Sequence, residues 1–285
     1  MFNRKTLFIV GAGAGADFKL PVGPELARDI AQRTKLGIDH GRLTKATADM
    51  DLALSFFERQ DRRDHDYVAA FNLIQNGILL ANSIDDFLNI HEADQGAVNV
   101  GKAAIVRSII AAERDSHLWV DPSNMYNKMD LERIVGSWLV KFMQVLGPGR
   151  KAAEVDNVLD DVSFIGFNYD RCIEQFLTHA LSHLYGVPRA KATEIVNRAN
   201  IIHPYGWVGP FERVPFGGQE HGRFDYLTLG QGVKTYTEQI EEESVITKMQ
   251  TAIRDSRCIV FLGFAYHKQN MALLKPPKSQ KTRQV

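Results

Sequence analysis

A short apolar run that stops at a ladder of alternating glycines constrains this chain more than any other feature. Leu7 to Val10 ends at Gly11-Ala12-Gly13-Ala14-Gly15-Ala16. An apolar run bounded by glycine reads as a buried strand. The segment after it fits G-x-G-x-x-A. Glycines there let the backbone approach a phosphate and aim amide N–H groups at it. A plain strand-to-helix turn made of small residues explains the same letters.

The rest of the chain fits an α/β protein. A helix is expected from Pro24, with Leu26, Ile30 and Thr34 on one face and a stop at Gly37. Residues 31–42 hold no apolar strand, so the second strand of an ordinary dinucleotide fold, which ends in an acid about 20 residues on, is missing. The stretch from about 48 to 147 reads as nearly all helical. Within it, Leu131, Ile134, Val135, Trp138, Leu139 and Phe142 form a broad apolar stripe. Gly147-Pro148-Gly149 breaks it. Then come a buried strand over 162–167, a helix with Ile173, Leu177, Ala180, Leu181 and Leu184 on one side, and a short strand at Ile201-Ile202. Residues 209–232 read as loop with short strands, and Cys258 to Phe264 as a last buried strand. Strands separated by helices argue for a Rossmann-like parallel sheet. The expectation is one domain over residues 1–275, with a helical insertion at about 45–150 acting as oligomer interface or lid. A basic tail, 276–285, follows.

Composition excludes several classes. Lys plus Arg is 34 and Asp plus Glu is 34, so the net charge is zero. That leaves no global footprint for nucleic acid or an anionic membrane. No run reaches the roughly 18 apolar residues of a membrane span. The first ten residues run straight into the glycine loop rather than to a cleavage site. Cys172 and Cys258 are the two cysteines, read as core thiols, and a reducing cytoplasm is the expected location.

Candidate site residues sit at strand ends, where open α/β sheets collect ligands. Asn168, after the strand ending at Phe167, hydrogen-bonds both ways in one plane and suits a ligand. Asp170 suits a helix cap, with ligand contact as its other reading. His203 follows Ile201-Ile202. A histidine titrates near neutrality and accepts a proton or orients a hydroxyl, though a lone one is more often structural. Asp17 either reaches a ribose or fixes the loop, or is an acid at a helix start. Ser83 to Asp86 fits a capping box, with a substrate-facing acid as its alternative. Asn270 reads as a ribose contact or a turn residue.

Five segments in this order carry a family resemblance: Gly11-Ala12-Gly13-Ala14, Leu20-Pro21, Asn168-Tyr169-Asp170, His203-Pro204-Tyr205-Gly206 and Leu262-Gly263-Phe264. Together they resemble the sirtuin-like NAD-consuming domains of bacterial antiphage defence proteins. The resemblance spans about residues 5–275. It implies that Asn168 positions the ribose and water and that His203 is catalytic. It implies that Gly11, Ala12 and Gly13 hold the pyrophosphate, and that Gly263 and Phe264 lie near the adenosine half. Pro21 and Asp170 lie within the matched segments, and with Asp17, read from its place after the loop, they complete the expected cofactor contacts. Gly15 stands where the family carries Ser, which removes a hydroxyl near the pyrophosphate. Lys19 stands where the family carries Gly, which tightens or blocks the cofactor loop. Two cysteines cannot build the four-cysteine zinc module of sirtuin deacylases. The resemblance therefore implies an NAD+ glycohydrolase, with NAD as substrate and no metal. Its implied partners are a HerA-like ATPase, an Argonaute or the enzyme's own oligomer. The competing readings are a non-catalytic NAD or ADP-ribose binding module, a deacylase or ADP-ribosyl transferase, and an oxidoreductase.

Overall fold

Alternation in Leu7-Phe8-Ile9-Val10 divides the core in two. Leu7 and Ile9 enter one apolar layer, and Phe8 and Val10 enter another on the opposite face of the sheet. A strand buried on both faces is central in a parallel sheet covered by helices. The computed structural model describes residues 4–58, 65–123, 125, 128–219, 223–235, 238 and 243–275. In chain order it runs β1 (Thr6–Val10), a 3-10 segment (Ala12–Phe18), α1 (Gly23–Arg33) and a small hairpin of β2 (Ile38–Asp39) and β3 (Arg42–Leu43). Next come α2 (Met50–Phe57), α3 (Tyr67–Gly77), α4 (Ile84–Ile90), α5 (Gln95–Asp115) and α6 (Trp138–Leu146). β4 (Val162–Gly166), α7 (Cys172–Tyr185), α8 (Arg189–Arg198) and β5 (Asn200–Ile202) follow. The described chain closes with α9 (Tyr226–Gly230), α10 (Glu243–Asp255), β6 (Cys258–Leu262) and α11 (Lys268–Leu274). The expected basic tail, 276–285, lies outside the described residues.

The main sheet is four parallel strands in the order β5-β4-β1-β6. β1 has β4 on one side and β6 on the other, so the strand order reverses there. The hairpin β2–β3 stands apart from this sheet. The expected α/β class with a parallel sheet therefore holds, and among the described residues the main sheet takes no strand between β1 and β4 in sequence.

Helix ends follow local chemistry. Asp49, Asp66, Ser83 and Asp94 each accept a backbone N–H at the start of α2, α3, α4 and α5. α5 buries residues around its whole girth, the pattern of a helix enclosed by others. α1, α3, α4 and α5 pack in the layer of Leu7, while α6, α7 and α8 pack in the layer of Phe8. The helical stretch thus contributes to both faces of the sheet. Among the described residues no helix is long and apolar enough to cross a membrane.

Several expectations need correcting. The stripe from Leu131 to Phe142 is not one helix. Ser137 caps α6 through its hydroxyl and starts it at Trp138, which leaves Leu131 and Val135 exposed. α1 ends at the C-cap Thr34, before Gly37, with the Thr34 hydroxyl turned back onto the Ile30 carbonyl. Leu26, Ile30 and Thr34 are nonetheless all buried. Leu184, in the last turn of α7, is exposed. Among the described residues, 209–232 contain no strand; α9 forms there behind an Asp225 cap, and Phe211 and Phe216 pack on a buried arginine instead. β6 is not a buried strand. It has β1 on one side and no strand on the other among the described residues, so Ile259 and Phe261 are exposed. Cys258 is likewise exposed and not a core thiol, whereas Cys172 is buried.

One buried histidine makes the fold acid-sensitive. His179 of α7 is 3% exposed, and burial, then the charges of Arg189 and His183, lowers its pKa from 6.5 to about 4. Between those values the unfolded chain takes up a proton that the folded one refuses, so stability falls as pH falls through that window. The expected loss between pH 7 and pH 5 is about 2 kcal/mol. Urea midpoints at both pH values, compared with His179→Gln, isolate it; parallel pH dependence in the two proteins would refute it.

Candidate nucleotide-binding site

The carboxyl ends of β1, β4 and β6 open into one cavity of about 830 Å³. That is within the roughly 300–1,000 Å³ of small-molecule sites. Of the residues expected from sequence, Gly11, Ala12, Gly13, Pro21, Asn168, Asp170, Gly263 and Phe264 line it. Asp17 and His203 do not. The start of α1, at Val22-Gly23-Pro24, and the start of α4 form further walls, and Lys268 supplies a cation.

The glycines of the loop serve close packing first. Gly11 N–H donates to Leu262 (2.9 Å) and Gly13 N–H to Gly263 (3.0 Å), while Ala14 N–H returns to Gly11 (3.0 Å). A Cβ on Gly11 would stand 2.7 Å from the Gly263 oxygen. The loop is therefore stitched to the end of β6. Among the described residues, Ala12 is the one of these four amides without a protein acceptor. Lys19 adopts a left-handed φ of 64°, the conformation glycine tolerates best. Asp17 accepts from the Trp138 backbone N–H (3.4 Å), and the Trp138 indole donates to the Ala14 carbonyl (2.9 Å). Asp17 thus ties the loop to α6 and stands away from the cavity.

The turn after β4 supplies the polar floor. Asn168 Nδ2 donates to the Gly11 carbonyl (3.3 Å), which links this turn to the loop. Its Oδ1 is buried with no protein partner among the described residues. Asp170 accepts from the N–H of Cys172 (3.1 Å), the first residue of α7, while lining the cavity; the cap position itself is Arg171. Burial raises its pKa. Tyr169 donates to Asp85 in a short hydrogen bond across 84 positions of chain. Burial raises the Asp85 pKa and lifts the Tyr169 hydroxyl well above its ordinary value. Tyr205 donates to Asn270 (2.7 Å), and both line the cavity.

Asp85 is the main site residue that sequence reasoning undervalued. Ser83 does cap α4, accepting from Asp86 N–H at 3.0 Å. That cap aims the first turn of α4 at the cavity, so the capping and the ligand-facing readings both apply to one segment.

His203 sits behind the floor. Its Nε2 lies 2.7 Å from Glu174 Oε1, and its Nδ1 lies 3.4 Å from the Asn168 carbonyl. The ring stacks on Trp207, with centroids 5.2 Å apart and planes at 11°. Burial alone would lower its pKa, but the Glu174 charge and hydrogen bond and the Asn168 carbonyl raise it above the ordinary value. His203 borders a narrow gap shared with Asn168 and a second cavity of about 490 Å³ that also touches Trp207. The structure brings His203 and Asn168 together beside the glycine loop, but with both ring nitrogens engaged.

Among the described residues no cluster of three His, Cys, Asp or Glu side chains is gathered for a metal. Comparison with protein-family models, curated proteins and solved structures returns no match.

Proposed function

We propose that this chain binds NAD+ in the 830 Å³ cavity and hydrolyses the bond between nicotinamide and ribose. The observation that supports the reading most is the convergence of the glycine loop, Asn168, Asp170 and the Gly263-Phe264 corner on a single cavity. They come from three strand ends.

The chemistry asks for little protein machinery. As the C1′–N bond breaks, its electron pair leaves with nicotinamide and positive charge develops at C1′. A water then adds its oxygen to C1′ and gives up a proton. Asn168 holds the ribose through its planar amide, anchored to Gly11. Asp85 and Asp170 place two carboxyl groups around the same volume, a field that favours a developing cation and an acceptor for the proton. In this reading His203, which faces the Asn168 backbone carbonyl across the narrow gap, supports Asn168 rather than touching the ribose.

An NAD-depleting antiphage effector, triggered by a HerA-like ATPase, an Argonaute or its own oligomer, is the biological setting proposed. NAD+ incubated with the protein is expected to release nicotinamide. Asn168→Ala is expected to lower that rate on the order of a hundredfold. Release that persists unchanged in Asn168→Ala would refute the assignment.

A second reading has its own support. Three of the four loop amides and both His203 nitrogens are already bonded within the protein. That suits a regulatory module that binds NAD or ADP-ribose without turnover. Calorimetric binding with no nicotinamide released would favour it.

A further inference from the structure

Glu174 stands on the first turn of α7, four positions after the turn residue Asp170. Its carboxylate meets His203, 29 positions away, with both side chains 9% exposed. Trp207 covers the ring in a near-parallel stack, and a Cβ placed on Gly166 at the end of β4 would already stand 3.4 Å from its edge. The two atoms that the ring nitrogens face are acceptors: a carboxylate oxygen and the Asn168 backbone carbonyl. A ring between two acceptors satisfies both only when both nitrogens carry hydrogen.

We infer that Glu174 is a positioning residue for this site: it holds His203 as an imidazolium, whose Nδ1–H pins the Asn168 carbonyl and so aims the Asn168 side chain at the cavity. The inference rests on the reading of Asn168 as the ribose-holding group. His203 then acts as a donor and not as the base that accepts the water's proton. Glu174 is buried, makes one hydrogen bond through Oε1, and its Oε2 has no protein partner among the described residues.

The two carboxylates that act on the ring agree in sign. Glu174 from α7 and Asp170 from the turn after β4 both favour its protonated form. Across the second cavity stand Glu212 and Lys234, of opposite charge. An imidazolium kept by Glu174 is present below its raised pKa and is lost as pH rises through it. Turnover that depends on it is therefore flat on the acid side and falls on the alkaline side.

The test uses the full chain with 15N-labelled histidine. In nitrogen–proton correlation spectra, the wild-type His203 ring is expected to be predominantly doubly protonated at pH 6.5, where an ordinary imidazole is half protonated. In Glu174→Gln it is expected to be singly protonated at the same pH. Nicotinamide release by Glu174→Gln is expected to close on wild type as pH falls and to drop at least about tenfold below it on the alkaline side. Glu174→Asp, which keeps the charge, is expected to retain the doubly protonated ring and covers the case in which Glu174→Gln does not fold. A singly protonated His203 in the wild type overturns the inference. So does a loss of turnover in Glu174→Gln that is equal at every pH with the ring signals unchanged. Absence of nicotinamide release in every variant refutes the glycohydrolase reading alone, since the ring spectra still decide the pairing of Glu174 with His203.

Discussion

Replacing Glu113 by alanine is expected to destabilise the folded chain by about 3–5 kcal/mol, the range for removing one partner of a buried ion pair. Arg171 is fully buried and directly follows the Asn168-Tyr169-Asp170 turn. Its guanidinium binds both Glu113 oxygens, reaches the carbonyls of Gly209, Val214 and Pro215, and lies 4.9 Å from the Phe211 ring centre. Glu113 in turn accepts the backbone N–H groups of Arg171 (3.2 Å) and Gly217 (3.1 Å). Removing the carboxylate strands a buried cation and two buried donors together. The urea midpoint reads the loss; a change under about 1 kcal/mol would show that the pair does not hold this region. Arg171→Lys is no substitute, because one ammonium cannot reproduce a planar fork of donors. A double change, Glu113→Leu with Arg171→Met, is expected to recover the part of the loss that comes from the unpaired charge, while the backbone groups the pair satisfied stay unpartnered. Because α5 carries Glu113, the same pair anchors the helical stretch against the turn that lines the cavity.

Gly263→Ala is expected to damage the empty protein as well as ligand binding. Gly263 has φ of 56°, and a Cβ there would lie 1.9 Å from the Ala14 nitrogen. Left-handed strain and forced displacement of the loop together amount to about 3 kcal/mol. Thermal melting without nucleotide should fall, and calorimetric titration with NAD should weaken. Gly23→Ala is the control, because a Cβ on that cavity-wall glycine meets nothing within 4 Å. Equal melting and equal binding in Gly263→Ala and wild type would sink the packing account of this corner. A melting loss in the absence of nucleotide would separate it from a purely phosphate-binding account of the glycines.

Much of the site could be read in advance, and the reasons are particular. Asn168 and Gly263 follow strands, and a parallel strand in this sheet ends at the same edge as its neighbours, so their convergence followed from strand direction alone. Asp17 looked like a ribose acid because it follows the glycine loop. Its actual partner, Trp138, lies 121 positions away and starts a helix that local pattern had merged into a longer stripe. Asp85 was legible as part of a cap but not as a cavity group, because its contact with Tyr169 spans the helical stretch. β6 reads as buried in Cys258-Ile259-Val260-Phe261-Leu262, and its edge position depends on strand order, which those letters do not encode.

Local interactions are written in neighbouring residues. The sequence by itself therefore determined the β1 strand with its glycine turn, the Ser and Asp caps that open the helices, and the parallel α/β class. Protonation and burial depend on groups brought together across the chain. Only the tertiary structure decided that His203 faces Glu174 and the Asn168 carbonyl, that Arg171 is buried against Glu113, and that Cys258 lies on an open edge. The physical reason is that a charge or a ring nitrogen takes its state from atoms within a few ångströms, and here those atoms come from residues 29 to 58 positions away.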